Sequence, residues 1–281
     1  MLNIGWKLSK GYIKFWGVRG SNPTPDKNKM EYGGDTSCIE IRTTDNDLII
    51  LDMGSGIRNL GSEILNDESY PKTINILLSH FHWDHIMGFL FFAPFFDGSY
   101  TFNIYGYNKH INTNSFSEKI LDSTFWPVSM DMLNANINFF DLDGKPLNIS
   151  DKVCIDYANH THPNSATSYK VIVDNHSVVY TTDCEHPINN LNDNVVSLAE
   201  NADILIHDSH FKHSVLENHK GWGHSSWKEA IEVSKKANVK TLCLFHYNPS
   251  YDDDTIRAIE QKAKEHFPDV IASKQGLKID F

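Results

Sequence analysis

One run of nine residues constrains this chain more than any other: Leu77-Leu78-Ser79-His80-Phe81-His82-Trp83-Asp84-His85. An apolar strand ends there, and four metal-capable side chains follow within six residues. A regular strand would set His80 and His82 on one face, with Asp84 beyond them. Entry into a helix would swing Asp84 and His85 back toward the same point. Imidazoles with a carboxylate suit zinc, iron or manganese, and not calcium. The competing reading is an accidental His-rich turn on the surface.

Further ligand candidates stand beside other apolar runs. His162 precedes the strand pattern Tyr169–Val173, Asp183 closes Val178–Thr182, and His246 closes Thr241–Phe245. Each alone is more often a cap or a satisfied polar group. Together with the first cluster they make seven ligands, enough for two metal ions, and an Asp can bridge both through its two oxygens. Two ions about 3.5–4 Å apart can clamp both ends of an in-line displacement.

The surrounding pattern alternates strands and helices. Besides those above, strands are predicted over Tyr12–Val18, Ser37–Thr43, Leu48–Met53, Ile74–Ser79, Phe102–Tyr105, Val153–Tyr157, Ile204–His207 and Leu277–Phe281. Helices are predicted over Ile57–Leu65, Asp84–Phe92, Ser115–Leu121, Asn192–Glu200, Ser226–Lys236 and Asp254–Glu265. Strands arrive both in consecutive runs and interleaved with helices, which predicts a layered α/β arrangement with mixed sheets. The stretch from Asp97 to Asn148 is the least regular and is a candidate cover for one end of the core. A chain of 281 residues with 40% hydrophobic content can bury a full core without disulfides. No linker or repeat interrupts it, so a single domain over 1–281 is expected.

Charge and cysteines bound the setting. The net charge is −11, and no basic cluster exceeds Lys235-Lys236. Polymeric nucleic acid is usually gripped by a basic face, so large RNA or DNA is not expected as a partner. The four cysteines form no CxxC pair and no export signal is read at the start, so reduced thiols in a cytoplasm are expected. No run of 18 apolar residues is present to span a membrane.

The order HxHxDH, then His162, Asp183 and His246, resembles the metallo-β-lactamase superfamily along nearly the whole chain. That resemblance implies an αββα sandwich: two mixed β-sheets flanked by helices, with metals at one edge. It implies two divalent ions per chain, zinc foremost with manganese or iron as alternatives. His80, His82 and His162 would hold one ion, Asp84, His85 and His246 the other, with Asp183 bridging.

Phe15-Trp16-Gly17-Val18-Arg19-Gly20-Ser21, Tyr32-Gly33-Gly34-Asp35-Thr36-Ser37-Cys38, Gly221-Trp222-Gly223-His224-Ser225-Ser226 and Leu244-Phe245-His246-Tyr247-Asn248-Pro249 resemble a bacterial branch near the phosphodiesterases and ribonuclease Z. The chain departs from that branch at Asp35, where Asn is commoner, and at Asn164-Ser165, where Gly-Gly is common. Both departures concern the substrate pocket rather than the metals.

His224 resembles the branch's histidine over the scissile phosphate, and Asp208 stands in the place of its acidic partner. A carboxylate-oriented imidazole is a plausible proton donor to a leaving alkoxide. The catalytic set is therefore Asp84, His224 and Asp208. Phe125-Trp126-Pro127 and Trp222 could stack a base, though core packing is the expected role of each.

The function these features imply is hydrolysis of small phosphodiesters such as cyclic nucleotides. The acidic charge favours small substrates. So does the separation of only 21 residues between His162 and Asp183, which leaves no room there for the tRNA-gripping arm of the ribonuclease Z family. Rival readings are a thioester or lactone hydrolase on the same scaffold, or a non-catalytic module that binds a metal or a nucleotide. A homodimer is compatible with the sequence.

Overall fold

Leu48, Ile49, Ile50 and Leu51 are all fully buried, as a continuous apolar run requires in the interior of a partly parallel sheet. They form the middle strand of the first of two sheets in the computed structural model, which describes residues 10–107 and 113–281. The first nine residues, where no export signal is read, and residues 108–112, inside the stretch of irregular pattern, lie outside the described residues. The described chain divides into two units. The first comprises the described residues up to Gly17, those of Ser37–Leu142, and Gly276–Phe281; the second comprises Val18–Thr36 and Asp143–Gln275.

The first unit holds strands Tyr12–Gly17 (β1), Cys38–Arg42 (β2), Leu48–Leu51 (β3), Thr73–Leu77 (β4), Thr101–Gly106 (β5), Asn136–Asp141 (β6) and the final Lys278–Asp280 (β14). They form one seven-stranded sheet in the order β14-β1-β2-β3-β4-β5-β6. The pairs from β14 to β3 are antiparallel, and those from β3 to β6 are parallel. Helix Ile57–Asn66 (α1) buries Ile57, Leu60, Gly61 and Ile64, the i, i+3, i+4, i+7 face of an amphipathic helix. Gly61 is needed for close packing, because a Cβ there would lie 2.8 Å from the Phe92 ring. Phe92, Phe95 and Phe102 stack edge to face at centroid distances of 4.9–5.4 Å and join the helix to the sheet. Helices Trp83–Ile86 (α2) and Thr113–Ile120 (α3) complete the unit.

The second unit holds Leu147–Ser150 (β7), Val153–His160 (β8), Ala166–Val173 (β9), His176–Thr181 (β10), Ile204–Asp208 (β11), Thr241–Phe245 (β12) and Val270–Ala272 (β13). The order is β13-β12-β11-β10-β9-β8-β7, parallel from β13 to β10 and antiparallel from β10 to β7. Helices Asp193–Leu198 (α4), Trp227–Lys236 (α5) and Asp253–Lys264 (α6) belong to it. A reciprocal capping box starts α5: the Ser226 hydroxyl accepts from the Glu229 N–H, and the Glu229 carboxylate accepts from the Ser226 N–H.

The predicted elements are present, with three departures. The helix expected over Asp84–Phe92 is one α-turn, Trp83–Ile86, followed by a 3₁₀ segment over Met87–Phe91. The Gly88 N–H bonds the Met53 carbonyl, and a Cβ on Gly88 would overlap the Gly54 carbonyl, so the chain turns in against β3 instead of continuing as a helix. Strands β6, β7 and β13 escape the pattern, being edge strands that are half exposed or only three residues long. The stretch from Asp97 to Asn148 is accordingly more regular than expected, with β5, α3, β6 and the start of β7 inside it. The four cysteines are unpaired, three of them buried. No helix among the described residues is long and apolar enough to cross a membrane.

Arg19 is the most demanding polar burial in the second unit. It is fully buried, and its guanidinium donates to the carbonyls of Gly33 (2.8 Å), Tyr251 (2.7 Å) and Lys29 (3.3 Å). Removing it would leave buried acceptors unmatched and Asp253, at 4.0 Å, without its cation. Arg19→Ala is expected to lower the unfolding free energy by about 3–5 kcal/mol in urea titration. Arg19→Lys should recover only part of this, because an ammonium cannot reproduce the planar fork. An unchanged midpoint for Arg19→Ala would show that the carbonyls find other donors.

Candidate functional site

Parallel strands end at the same edge of a sheet, and that edge gathers the candidate His and Asp residues in both units. In the first, Leu51 of β3 is in register with Leu77 of β4, so Asp52 and Ser79 emerge together. In the second, β10, β11 and β12 run parallel, so Asp183, Asp208 and His246 emerge at one edge. Asp52 (φ 62°), Asp183 (φ 53°) and His246 (φ 61°) all take left-handed backbone as they leave their strands. Non-glycine residues reach that region only when their surroundings enforce it, and such strain gathers at functional sites.

In the first unit Asp52 organises the His cluster. One carboxylate oxygen accepts from the Ser79 N–H (2.6 Å), and the other from the Ser79 hydroxyl (2.7 Å) and His85 Nδ1 (2.7 Å). With its proton committed to Asp52, the Ser79 hydroxyl accepts from His80 Nδ1 at 3.0 Å. Both rings are thus set in the tautomer whose Nε2 carries the lone pair, the form that ligates metal. The His80 ring lies 4.4 Å from that of His82 and 4.3 Å from that of His85. The Asp84 carboxylate lies 3.3 Å from His85 Nε2. His80, His82, Asp84 and His85 are therefore gathered, as the fan of residues at the strand end predicts. His82 is the extended N-cap of α2, and the helical turn brings Asp84 and His85 back.

In the second unit Asp208 has the corresponding role. Its Oδ1 accepts from the N–H groups of His210 (2.9 Å) and Ser225 (3.0 Å). Its Oδ2 accepts from His224 Nδ1 (2.9 Å) and the Asp183 N–H (3.1 Å). Burial alone would raise this carboxyl's pKa, but the His224 and His246 imidazoles hold it below the usual range. His246 Nε2 lies 3.2 Å from Asp183 Oδ2, and His162 Nε2 lies 3.7 Å from Asp183 Oδ1. His162 Nδ1 donates to the Gly223 carbonyl at 2.8 Å, which fixes its tautomer as in His80 and His85. Gly223 has φ +84°, and a Cβ there would overlap the His162 ring, so both conformation and space require glycine. Asn164 (φ 67°) and Ser165 (φ 71°), which stand where the resembling branch carries Gly-Gly, take left-handed backbone as well.

Three participants escaped the sequence reading. Asp52 was hidden because a lone Asp after an apolar run reads as a cap; the Asp52-Met53-Gly54 turn was the available signal. His210 stacks on His224 at 4.1 Å, donates from Nδ1 to the His246 carbonyl (3.0 Å) and accepts at Nε2 from Asn248 (3.0 Å). Both its nitrogens are engaged, and burial beside two other imidazoles lowers its pKa to about 3, so it is a neutral positioning ring. Glu185 accepts from the N–H groups of Gly221 and Gly223 and thereby holds the loop that carries His224.

Imidazoles of fixed tautomer with buried carboxylates fit divalent zinc, iron or manganese. Two half-parallel seven-stranded sheets, with His and Asp ligand candidates beyond the ends of their parallel strands, define a hydrolase of the metallo-β-lactamase fold. The family model described as beta-lactamase superfamily domain matches residues 48–247, and the chain belongs to that superfamily. It is 28% identical over 313 residues to a Ribonuclease Z of Picrophilus torridus, covering 95% of each. Among solved structures it is similar to the metallo-beta-lactamase fold protein YhfI from Bacillus subtilis, with a TM-score of 0.71, 22% identity, and 96% and 99% of the two chains covered. It is also similar to human tRNase Z, short form, with a TM-score of 0.69, 17% identity, and 95% and 98% covered.

Asp52 sets the orientation of His85 and, through Ser79, of His80. Asp52→Ala is expected to weaken zinc binding by about 10–100-fold in competition with a chromophoric chelator. Unchanged affinity would mean that packing alone orients the two rings.

Proposed function

We propose that this chain is a metal-dependent phosphodiesterase acting on small diesters such as cyclic nucleotides. The observation that carries the reading is the bond from His224 Nδ1 to the buried carboxylate of Asp208. A carboxylate on one ring nitrogen stabilises the doubly protonated imidazole and directs the other nitrogen outward. Nε2 is then the atom that delivers a proton as the P–O bond breaks and its electron pair stays on the departing oxygen. Thioester hydrolysis has less use for such a donor, since a thiolate departs readily without one.

Metal ligation is assigned to His80, His82, Asp84, His85, His162, Asp183 and His246, with two ions per chain. Such ions supply charge neutralisation at the phosphoryl oxygens and acidify water. Asp84, 3.3 Å from His85 Nε2, would hold a metal ion and orient the attacking water. The chain's own acid–base chemistry then rests on His224, oriented by Asp208 and stacked on His210.

Two features support a small substrate. The net charge of −11 disfavours a polyanion as substrate. The residues between His162 and Asp183 are taken up by the antiparallel β9–β10 pair, whose register turns directly from Val173 to His176, so no arm projects there. The names Ribonuclease Z and tRNase Z among the similar proteins lend no support to excluding RNA, so a tRNA precursor belongs in the assay beside cyclic nucleotides. Efficient, specific cutting of that precursor would replace the small-substrate reading with an RNA one.

His224→Ala should lose about 10²–10⁴-fold against a nucleotide diester, whose alkoxide needs protonation, and much less against a nitrophenyl diester. Both rates are to be compared at equal metal content. Equal losses on the two substrates would make His224 a binding residue. Elemental analysis of metal-replete protein should give two ions per chain, falling by one in Asp183→Ala. A wild-type value fixed at one under saturating metal would reject the dinuclear assignment.

A further inference from the structure

Core packing is the expected role of Trp222 in the sequence, but the structure leaves it 62% exposed. Burying a large apolar side chain is worth about 1.5–3 kcal/mol, and this tryptophan forgoes much of that although its loop is well held. The loop is well held. Gly221 (φ +86°) and Gly223 (φ +84°) flank the residue. Their N–H groups both donate to Glu185, at 2.9–3.0 Å and 2.8 Å, and the Trp222 N–H donates to the His219 carbonyl at 3.1 Å. Three consecutive backbone donors are thus engaged.

The indole ring stands T-shaped to His219 at 5.1 Å and to Phe211 at 6.4 Å. His219 stacks on Phe211 at 4.3 Å, and Phe211 stands 5.8 Å from His224. The aromatic row therefore runs from the proposed proton donor outward to an open indole. Along the chain, Trp222 is two residues from His224, or at most about 7.6 Å between Cα atoms. Its neighbour Gly223 supplies the carbonyl that orients His162. In a nucleotide one sugar separates the phosphate from the base, a spacing of the same order.

We propose that Trp222 is the platform on which the nucleobase of the substrate stacks, so that the substrate class is nucleoside diesters rather than diesters in general. The proposal rests on the phosphodiesterase reading and adds the base to it. Stacking on an aromatic side chain tolerates any base, so Trp222 selects for a base without specifying which.

The test compares adenosine 2′,3′-cyclic phosphate with the cyclic phosphate of an abasic ribose, using metal-replete protein. Trp222→Ala is expected to raise KM for the adenosine substrate about 5- to 150-fold, to leave kcat within about twofold, and to leave the abasic substrate unaffected. Trp222→Phe should restore most of the loss. An unchanged adenosine KM, or equal losses on both substrates, would overturn the proposal. Binding of adenosine monophosphate is measured separately by quenching of tryptophan fluorescence. The quench should be strong in the wild type and largely lost in Trp222→Phe, and equal quenching in the two would also overturn it. Should the wild type hydrolyse no diester at all, the phosphodiesterase reading falls, and this titration still decides whether Trp222 stacks on a base.

Discussion

The buried carboxylate of Asp208 is the interaction on which the arrangement of the second unit's candidate site depends. Four donors meet it: the N–H groups of Asp183, His210 and Ser225, and the His224 imidazole. A buried carboxylate is tolerable only when its lone pairs are matched, and here they are matched from strand ends and a loop distant in sequence. That requirement sets the Asp183 backbone, turns the chain after β11, and places the loop before α5. Through that loop it also fixes the Gly223 carbonyl that orients His162. Asp52 repeats the solution on a smaller scale in the first unit, with Ser79 and His85 as its donors.

Both carboxylates owe their place to parallel pairing. A parallel strand delivers its next residues to the edge where its neighbour delivers its own, so polar groups after β3 and β4, or after β10, β11 and β12, are collected without further design. Apolar strand interiors stabilise the sheets, and the local cost appears at the ends. There Asp52, Asp183 and His246 take a backbone conformation that glycine would adopt more easily. Glycine could not supply the carboxylates or the imidazole, so the strain marks positions where side-chain chemistry outweighs backbone comfort.

The loop over Gly221–Ser226 joins three tasks in six residues. It holds His162 by a carbonyl, presents His224 to Asp208, and leaves Trp222 open to solvent. Glu185 and the capped start of α5 fix it from two directions. In the proposed reading, proton donation by His224 and base stacking on Trp222 are coupled there through backbone hydrogen bonds.

The element order, most strand and helix positions, and the candidate ligands were legible along the chain. Strand-end His and Asp residues and period-2 and period-3.6 apolar patterns are local signals, and a linear chain displays local signals in full. Edge strands β6, β7 and β13 were lost because half-exposed or three-residue strands carry little alternation. Trp222 and Trp126 look alike in sequence, yet Trp126 packs against the apolar core of the first unit while Trp222 stays exposed. Only the tertiary structure assigned Asp52 to His85 and Ser79, engaged both nitrogens of His210, and turned Glu185 onto two glycine N–H groups. The physical reason is register. Which carboxylate meets which imidazole depends on how strands tens of residues apart align, and no spacing along the chain encodes that alignment.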